Sequence, residues 1–304
     1  MIAGIKKYAL LNSIKKVLVG LSGGSDSCCL LTSLKEAGVE TIALHCNFNL
    51  RGEESIRDRD FVVALCSENQ IPLKTIEFDV DKYMKLHKGI SLEMACRELR
   101  YEWFFSMMSE TKADRLTIGH NADDNIETFF INLLRGSGTN GLKGMEYDNG
   151  TIWRPLLPFH KKTILEFLKE KNIDYITDST NLQSDYRRNF LRNEIIPLIK
   201  SEWKGFDKAM DKSISNLKTE NLVIEKTLSE ILKKYPNNLP IEVIKDYPAP
   251  LLLIKRFISP LKPYSTTADE VLSSIHASKP NIPKWTLPNG SLIIKKGRLT
   301  KIDK

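Results

Sequence analysis

Residues 16–27 read Lys16-Val17-Leu18-Val19-Gly20-Leu21-Ser22-Gly23-Gly24-Ser25-Asp26-Ser27. A valine-rich apolar run of strand length ends in a Ser-Gly-Gly-Ser bend, and helical periodicity starts at Ser25 and continues to Ala37. Adjacent glycines let a backbone come close to a ligand, small hydroxyls add donors, and a helix N-terminus brings free N–H groups and a positive dipole end. That combination is an anion cradle suited to phosphate. No lysine follows the glycines, so this is not the GxxxxGK[ST] loop of hydrolysed nucleotides. Asp26 inside such a cradle repels an anion unless a cation bridges them, which points to Mg²⁺. The alternative is a tight strand-to-helix turn with Ser and Asp capping the helix.

Outward from this stretch the same alternation recurs. Strand-like runs occupy 16–21, 41–44, 73–78 and 115–118, and helical patterns fill Ser25 to Ala37, Glu53 to Asn69, Ser91 to Glu110 and Ala122 to Leu134. Such spacing predicts right-handed βαβ units and a parallel sheet covered on both faces, an α/β fold. Ligands bind such sheets beyond the carboxyl ends of the strands, at the segments starting at Ser22, His45, Asp79 and Gly119. After Gly150 the pattern changes. Trp153 to Pro158 reads as a rigid connector, Lys161 to Asn172 as a helix, and Thr177 to Asp185 as a polar loop. Helices are predicted over Asp185 to Lys200 and Phe206 to Tyr235. A small α+β region closes the chain, with helices at Leu251 to Leu261 and Thr267 to His276 and a hairpin about Pro288-Asn289-Gly290. The expected domains are 1–200, a long helical linker over 201–236, and 237–304.

Three further stretches carry chemistry. In Gly119-His120-Asn121-Ala122-Asp123-Asp124-Asn125-Ile126-Glu127 the acids fall at a helix start, and Asp124 and Glu127, three apart, share a face where both can point at one cation or ammonium; simple capping is the alternative. Tyr186-Arg187-Arg188-Asn189-Phe190-Leu191-Arg192 interleaves arginine with aromatic and amide side chains, suited to phosphate contacts and base stacking or to a solvated helix face. Gly136-Ser137-Gly138-Thr139-Asn140-Gly141 matches GxGxxG but follows a helix, so the dinucleotide context fails. It reads as a loop beside Arg135 able to close over a polar substrate, or as a helix cap and linker.

Composition sets the frame. The 304 residues are 41% hydrophobic and 27% charged, with no apolar run long enough to span a membrane. With no signal-peptide pattern and no CxxC among five cysteines, a cytoplasmic location is expected. Net charge is +7, and Lys255 to Lys304 holds 10 basic against 3 acidic residues, so the excess lies in the tail. A basic tail suits a polyanionic partner or is a solvated face.

Taken together, these motifs resemble the N-type ATP pyrophosphatase (PP-loop) superfamily and, within it, the tRNA(Ile)-lysidine synthetase family. Ser22 to Ser27 carries the wider likeness. His45-Cys46-Asn47-Phe48-Asn49-Leu50-Arg51-Gly52-Glu53-Glu54-Ser55, Arg97 to Tyr101, Gly119 to Thr128 running into Leu133 to Gly138, Arg154 to Leu157, and Asp178 to Asn181 with Tyr186 to Asn189 carry the narrower one. The likeness covers about 1–200. Phe48 stands where the family commonly has a second His, and longer members carry a further domain, so the chain is either a short form or a truncated one.

The resemblance implies a PP-loop ATPase domain of Rossmann-like type over 1–200 and a small tRNA-binding domain over 237–304. It implies a ligase in which ATP adenylates C2 of cytidine 34 in the CAU anticodon of tRNA(Ile), and free L-lysine then displaces AMP to give lysidine. It places ATP on Ser22, Gly23, Gly24, Ser25, Asp26 and Ser27, and Mg²⁺ on Asp26. Lysine falls to Asp124 and Glu127, catalysis to Asp26, Asp124, Glu127 and Arg135, and tRNA to Arg154, Tyr186, Arg187, Arg188 and Arg192. A homodimer is a further option, and no membrane partner is expected. The rival within the superfamily, a tRNA thiolase, needs sulfur-transfer or cluster cysteines that usually come as CxxC.

Overall fold

The computed structural model describes residues 1–177, 186–277 and 283–303. The chain forms two compact units, Met1–Leu217 and Lys218–Lys304.

The first unit opens with helix α1 (Ile2–Leu11) and then alternates β1 (Lys16–Gly20), α2 (Ser25–Glu36), β2 (Glu40–Asn47), α3 (Glu53–Glu68) and β3 (Leu73–Glu77). Helices α4 (Val80–Leu86) and α5 (Leu92–Thr111) lead to β4 (Arg115–Thr117), α6 (Ala122–Leu134), the single-turn α7 (Thr139–Leu142), β5 (Ile152–Trp153) and α8 (Lys161–Glu170). All five strands pair in parallel, in the order β3-β2-β1-β4-β5. Val17, Leu18 and Val19 of the central β1 are fully buried, as expected for a strand covered on both faces. Val17 and Val19 face a core shared with Leu30, Leu31 and Leu34 of α2 and Ile164 and Leu168 of α8, whereas Leu18 packs with Leu44, Leu116 and Phe104 on the other side.

The four expected strands form. The fifth, at Ile152–Trp153, is unexpected, because two residues are too few to show alternation; its second residue, Trp153, opens the stretch read as a connector. The single helix expected over 185–200 is divided. Tyr186–Phe190 (α9) and Ile196–Glu202 (α10) flank a π-helical turn at Leu191–Ile195. Pro197 in the first turn of α10 explains the break: it has no N–H for the carbonyl one turn back, and its ring crowds that carbonyl.

Helix α11 (Phe206–Lys234) runs from one unit into the other. Phe206, Met210 and Ile214 pack in a cluster with Ile126, Leu191 and Ile196, while Ile224, Leu228 and Ile231 belong to the core of the second unit. Both ends of α11 carry core residues, and the division between the units falls at 217/218, within the stretch expected as a long helical linker over 201–236. In the second unit β6 (Asn238–Pro240), β7 (Lys284–Leu287), β8 (Gly290–Lys295) and β9 (Arg298–Asp303) make an antiparallel sheet in the order β6-β9-β8-β7. It accompanies α12 (Ile241–Asp246), α13 (Pro250–Ile258) and α14 (Thr267–Ala277). The expected hairpin is β7–β8. The unexpected β9 follows a two-residue Lys296-Gly297 turn with both residues at positive φ, the conformation a tight hairpin favours.

Candidate active site

The strand order fixes where a ligand belongs. From β1 the chain steps outward through β2 and β3, then crosses to the other side for β4 and β5, so the direction of winding reverses between β1 and β4. A crevice opens at such a reversal, at the carboxyl ends of the strands. The loops there are Leu21–Gly24 after β1 and Ile118–Asn121 after β4.

The first loop is tightly made. Gly23 has φ +87°, and a Cβ on it would lie 2.7 Å from Ile176 Cδ1; its carbonyl accepts from Ile176 N at 2.9 Å. Ser27 Oγ donates to Gly24 O (2.9 Å) and accepts from Ser22 N (3.3 Å). Its one proton is thereby committed, so Ser22 Oγ is the donor in the 3.2 Å contact between the two hydroxyls. His45, at the end of β2, sets the loop's entry: its Nδ1 donates to Leu21 O at 2.9 Å, and burial lowers its pKa, keeping the ring neutral.

The second loop presses on the first. A Cβ on Gly119 would come within 3.1 Å of the Asp26 carbonyl carbon, so glycine is what allows the approach. Asn121 joins the two halves of the crevice. Its Nδ2 donates to Asp26 Oδ1 (3.2 Å), while its Oδ1 accepts from Asp124 N and its own N–H donates to Asp124 Oδ2, each at 3.0 Å, in a reciprocal cap of α6. The sequence shows Asn121 only as part of a motif; its bridging role needs the fold.

Asp124 and Glu127 do share a face, and that face is buried. Arg188 Nε donates to Glu127 (2.7 Å) and Arg188 Nη2 reaches Asp124 (3.3 Å). Arg192 holds Glu127 through Nε (2.5 Å) and Nη2 (2.9 Å), and Asp124 through the same Nη2 (2.9 Å). Burial first, and the Glu127 carboxylate second, push the Asp124 carboxyl up to about 6 against the pull of both guanidiniums. His120 accepts from Arg154 Nε at Nδ1 (3.2 Å); burial, then the positive charge of Arg154, holds its pKa down at about 3. It is a neutral ring.

Lys161, which sequence reasoning passed over, reaches into the first loop. Its Nζ lies 2.6 Å from Ser25 Oγ and 2.7 Å from Asp26 Oδ2, and its backbone N–H donates to Asp123 Oδ2 at 2.7 Å. The sequence places Lys161 at a helix start, but β5, the strand before it, is too short to recognise, so no local signal directs the side chain to the first loop. Asp123 also meets Lys200 Nζ (3.2 Å), which bonds Asp207 (2.8 Å). Asp123, His160 and Asp207 are close enough together to hold a metal ion, but the Lys200 ammonium already bridges the two carboxylates.

Residues 3–199 match the PP-loop domain family. The chain belongs to that family. The Ser22–Ser27 bend and the β1–β4 crevice both lie within the matched residues. Among curated relatives, the tRNA(Ile)-lysidine synthase of Bacteroides thetaiotaomicron is 37% identical over 274 residues, covering 90% of this chain and 64% of that protein. The protein of the same name from Porphyromonas gingivalis W83 is 39% identical over 289 residues, covering 93% and 63%. The chain thus spans a little under two thirds of the length of these relatives. The solved structure of the U34-tRNA thiolase NcsA from Methanococcus maripaludis, with its 4Fe-4S cluster, superposes with a TM-score of 0.58 at 22% identity, over 72% of this chain and 78% of that one. That likeness shows the fold alone.

Around the Ser22–Ser27 bend the other expected residues are dispersed. Arg135 caps the far end of α6, exposed and roughly 16 Å along the helix from Asp124 at 1.5 Å per residue, so the structure does not bring it to the carboxylates. Arg154 is half-buried, bonding His120 and Glu146 O rather than facing solvent. Arg187 is exposed, and Tyr186 contributes its backbone to α9, its side chain falling outside the described residues. Asp178 to Asn181 also lie outside the described residues. Phe48 stacks on Phe78 with the Arg100 guanidinium over its ring. No helix among the described residues is long and apolar enough to cross a membrane.

Proposed function

We propose that the chain ligates L-lysine to C2 of cytidine 34 in the CAU anticodon of tRNA(Ile), using ATP and releasing AMP and pyrophosphate. The observation that carries this reading is the joint at Asn121. It binds the PP-loop carboxylate Asp26 and caps the helix bearing Asp124 and Glu127, so an anion cradle and a cation-recognising carboxylate pair share one crevice. A reaction joining a nucleotide-activated carbonyl to an amine requires those two halves side by side.

In this reading the N–H groups of the PP-loop and of the α2 N-terminus hold the β,γ-phosphates as pyrophosphate leaves. The cytidine C2 oxygen attacks the α-phosphorus and becomes an AMP ester, a leaving group that the bare carbonyl is not. Asp124 and Glu127 receive the substrate ammonium, and the lysine amine, once deprotonated, displaces AMP. Asp26 would hold Mg²⁺ beside phosphate oxygens, since that ion needs only one or two carboxylates, once the Lys161 ammonium that rests on Ser25 and Asp26 has moved off them. When bound, it neutralises phosphate charge. Arg187, Arg188 and Arg192 contact tRNA phosphates. In the second unit the exposed Lys284, Lys295, Lys296 and Arg298 supply further cations for the RNA backbone.

The thiolase alternative lacks its chemistry here. Burial pushes the Cys28, Cys29 and Cys46 thiols up to about 12, and among the described residues, which include all five cysteines, no three gather into a metal-binding group. Mass spectrometry of bulk tRNA after incubation with the protein, ATP and labelled lysine tests the reading. A lysine-bearing cytidine in the CAU anticodon is expected; labelled tRNA absent under ATP turnover refutes it.

A further inference from the structure

The PP-loop contains no cation of its own, and the fold brings one to it. Lys161 is the first residue of α8, where the helix dipole disfavours a positive charge, and the first turn of α8 holds no acid to offset it. Two features hold it there. Ile164 and Leu168 of α8 are buried in one core with Leu30, Leu31 and Leu34 of α2, so the start of α8 is registered beside the start of α2. The Lys161 backbone N–H is tied to Asp123 in the first turn of α6. The side chain then extends to Ser25 Oγ and Asp26 Oδ2, the hydroxyl and carboxylate at the opening of the cradle. Its neighbour Lys162 points away, 86% exposed, with only a 4.0 Å contact to Glu166.

We propose that Lys161 supplies the ammonium this PP-loop lacks: it contacts a β- or γ-phosphate oxygen of the bound nucleotide, and between turnovers it rests on Asp26. The four-carbon stem and three donors of lysine allow the head to pass from carboxylate to phosphate without moving α8. The inference rests on ATP being the ligand of this loop.

The test is equilibrium binding of a non-hydrolysable ATP analogue and of AMP, each with Mg²⁺, to the full chain and to Lys161→Met, Lys161→Arg and Lys162→Met. Loss of a charge-assisted bond predicts that Lys161→Met weakens the triphosphate by about 10- to 100-fold. AMP affinity should stay within about threefold, Lys161→Arg should keep most of the binding, and Lys162→Met should match wild type. Equal triphosphate affinity in Lys161→Met, or an equal loss for AMP, overturns the proposal. A second measurement uses the unaltered chain: the triphosphate analogue, and not AMP, should shield Lys161 from amine acylation read by peptide mass spectrometry, while Lys162 labels unchanged. A bound triphosphate that leaves Lys161 labelling untouched refutes the lysine assignment alone. Failure of the unaltered chain to bind the triphosphate removes the ATP reading and this inference with it.

Discussion

Arg192 grips Glu127 with two donors, Nε at 2.5 Å and Nη2 at 2.9 Å, and Glu127 is only 2% exposed. With Arg188 on the same carboxylate, the pair proposed to receive a substrate ammonium is already neutralised by guanidinium. Glu127→Gln leaves two half-exposed arginines short of an acceptor, and solvent offsets part of the loss. The expected cost is about 1–3 kcal/mol, read as a lower urea midpoint. The same variant should raise the lysine KM about tenfold. Lost stability with an unchanged lysine KM would make Glu127 a structural anchor only.

The arginines should report on RNA rather than on lysine. Arg192→Ala is expected to raise the tRNA KM and to reduce the slope of log affinity against log salt by about 0.7–0.9, the share of one phosphate contact. Lysine KM should hold or fall, since a competing cation has gone. An unaltered salt slope would remove Arg192 from the RNA interface.

Asp124 gives the site a pH signature. Its folded pKa, about 6, is raised, so the carboxyl gains its proton as pH falls through 6 and loses the charge that attracts an ammonium. Lysine KM should therefore climb between pH 7 and 5.5. Asp124→Asn should show a higher and flatter KM over that range; a profile that still climbs would place the titrating group elsewhere.

His120 makes the opposite linkage, expressed in stability. Its folded pKa of about 3 lies below the unfolded value of about 6.5, so the folded state resists protonation and stability is lost as pH falls below 6.5. By pH 5 the loss should be about 1–2 kcal/mol. His120→Asn keeps an acceptor for Arg154 and has nothing to titrate, so the gap between wild-type and variant urea midpoints should change between pH 7 and 5. A constant gap would contradict the neutral ring.

How much of this was legible in the chain follows from how local each signal is. The β1 bend, the four longer strands and the i,i+3 placement of Asp124 and Glu127 are patterns within one element, and they stand in the structure where the periodicity puts them. Lys161 meeting Asp26 spans 135 positions, and no periodicity encodes it. It requires β5 to be recognised and α8 to be docked on α2. Arg135 is a weaker case: the motif sets it beside a loop able to close over a substrate, and eleven helical residues put it at the opposite end of α6 from Asp124. Pro197 was visible, but its consequence, the π turn carrying Arg192, depends on how the helix repays the missing N–H.

Gly23 offers a final check on the loop itself. At φ +87° an L side chain costs about 1–2 kcal/mol, and the added Cβ would also collide with Ile176 Cδ1 at 2.7 Å. Gly23→Ala should therefore lower the urea midpoint and raise the ATP KM several-fold, because the bend that aims the N–H groups must open. The two causes are separable. Truncating the neighbour in Gly23→Ala/Ile176→Ala removes the collision but not the backbone strain, so the double variant should regain part of the nucleotide affinity relative to Gly23→Ala alone. Full recovery would assign the whole effect to Ile176, and no recovery would assign it to φ.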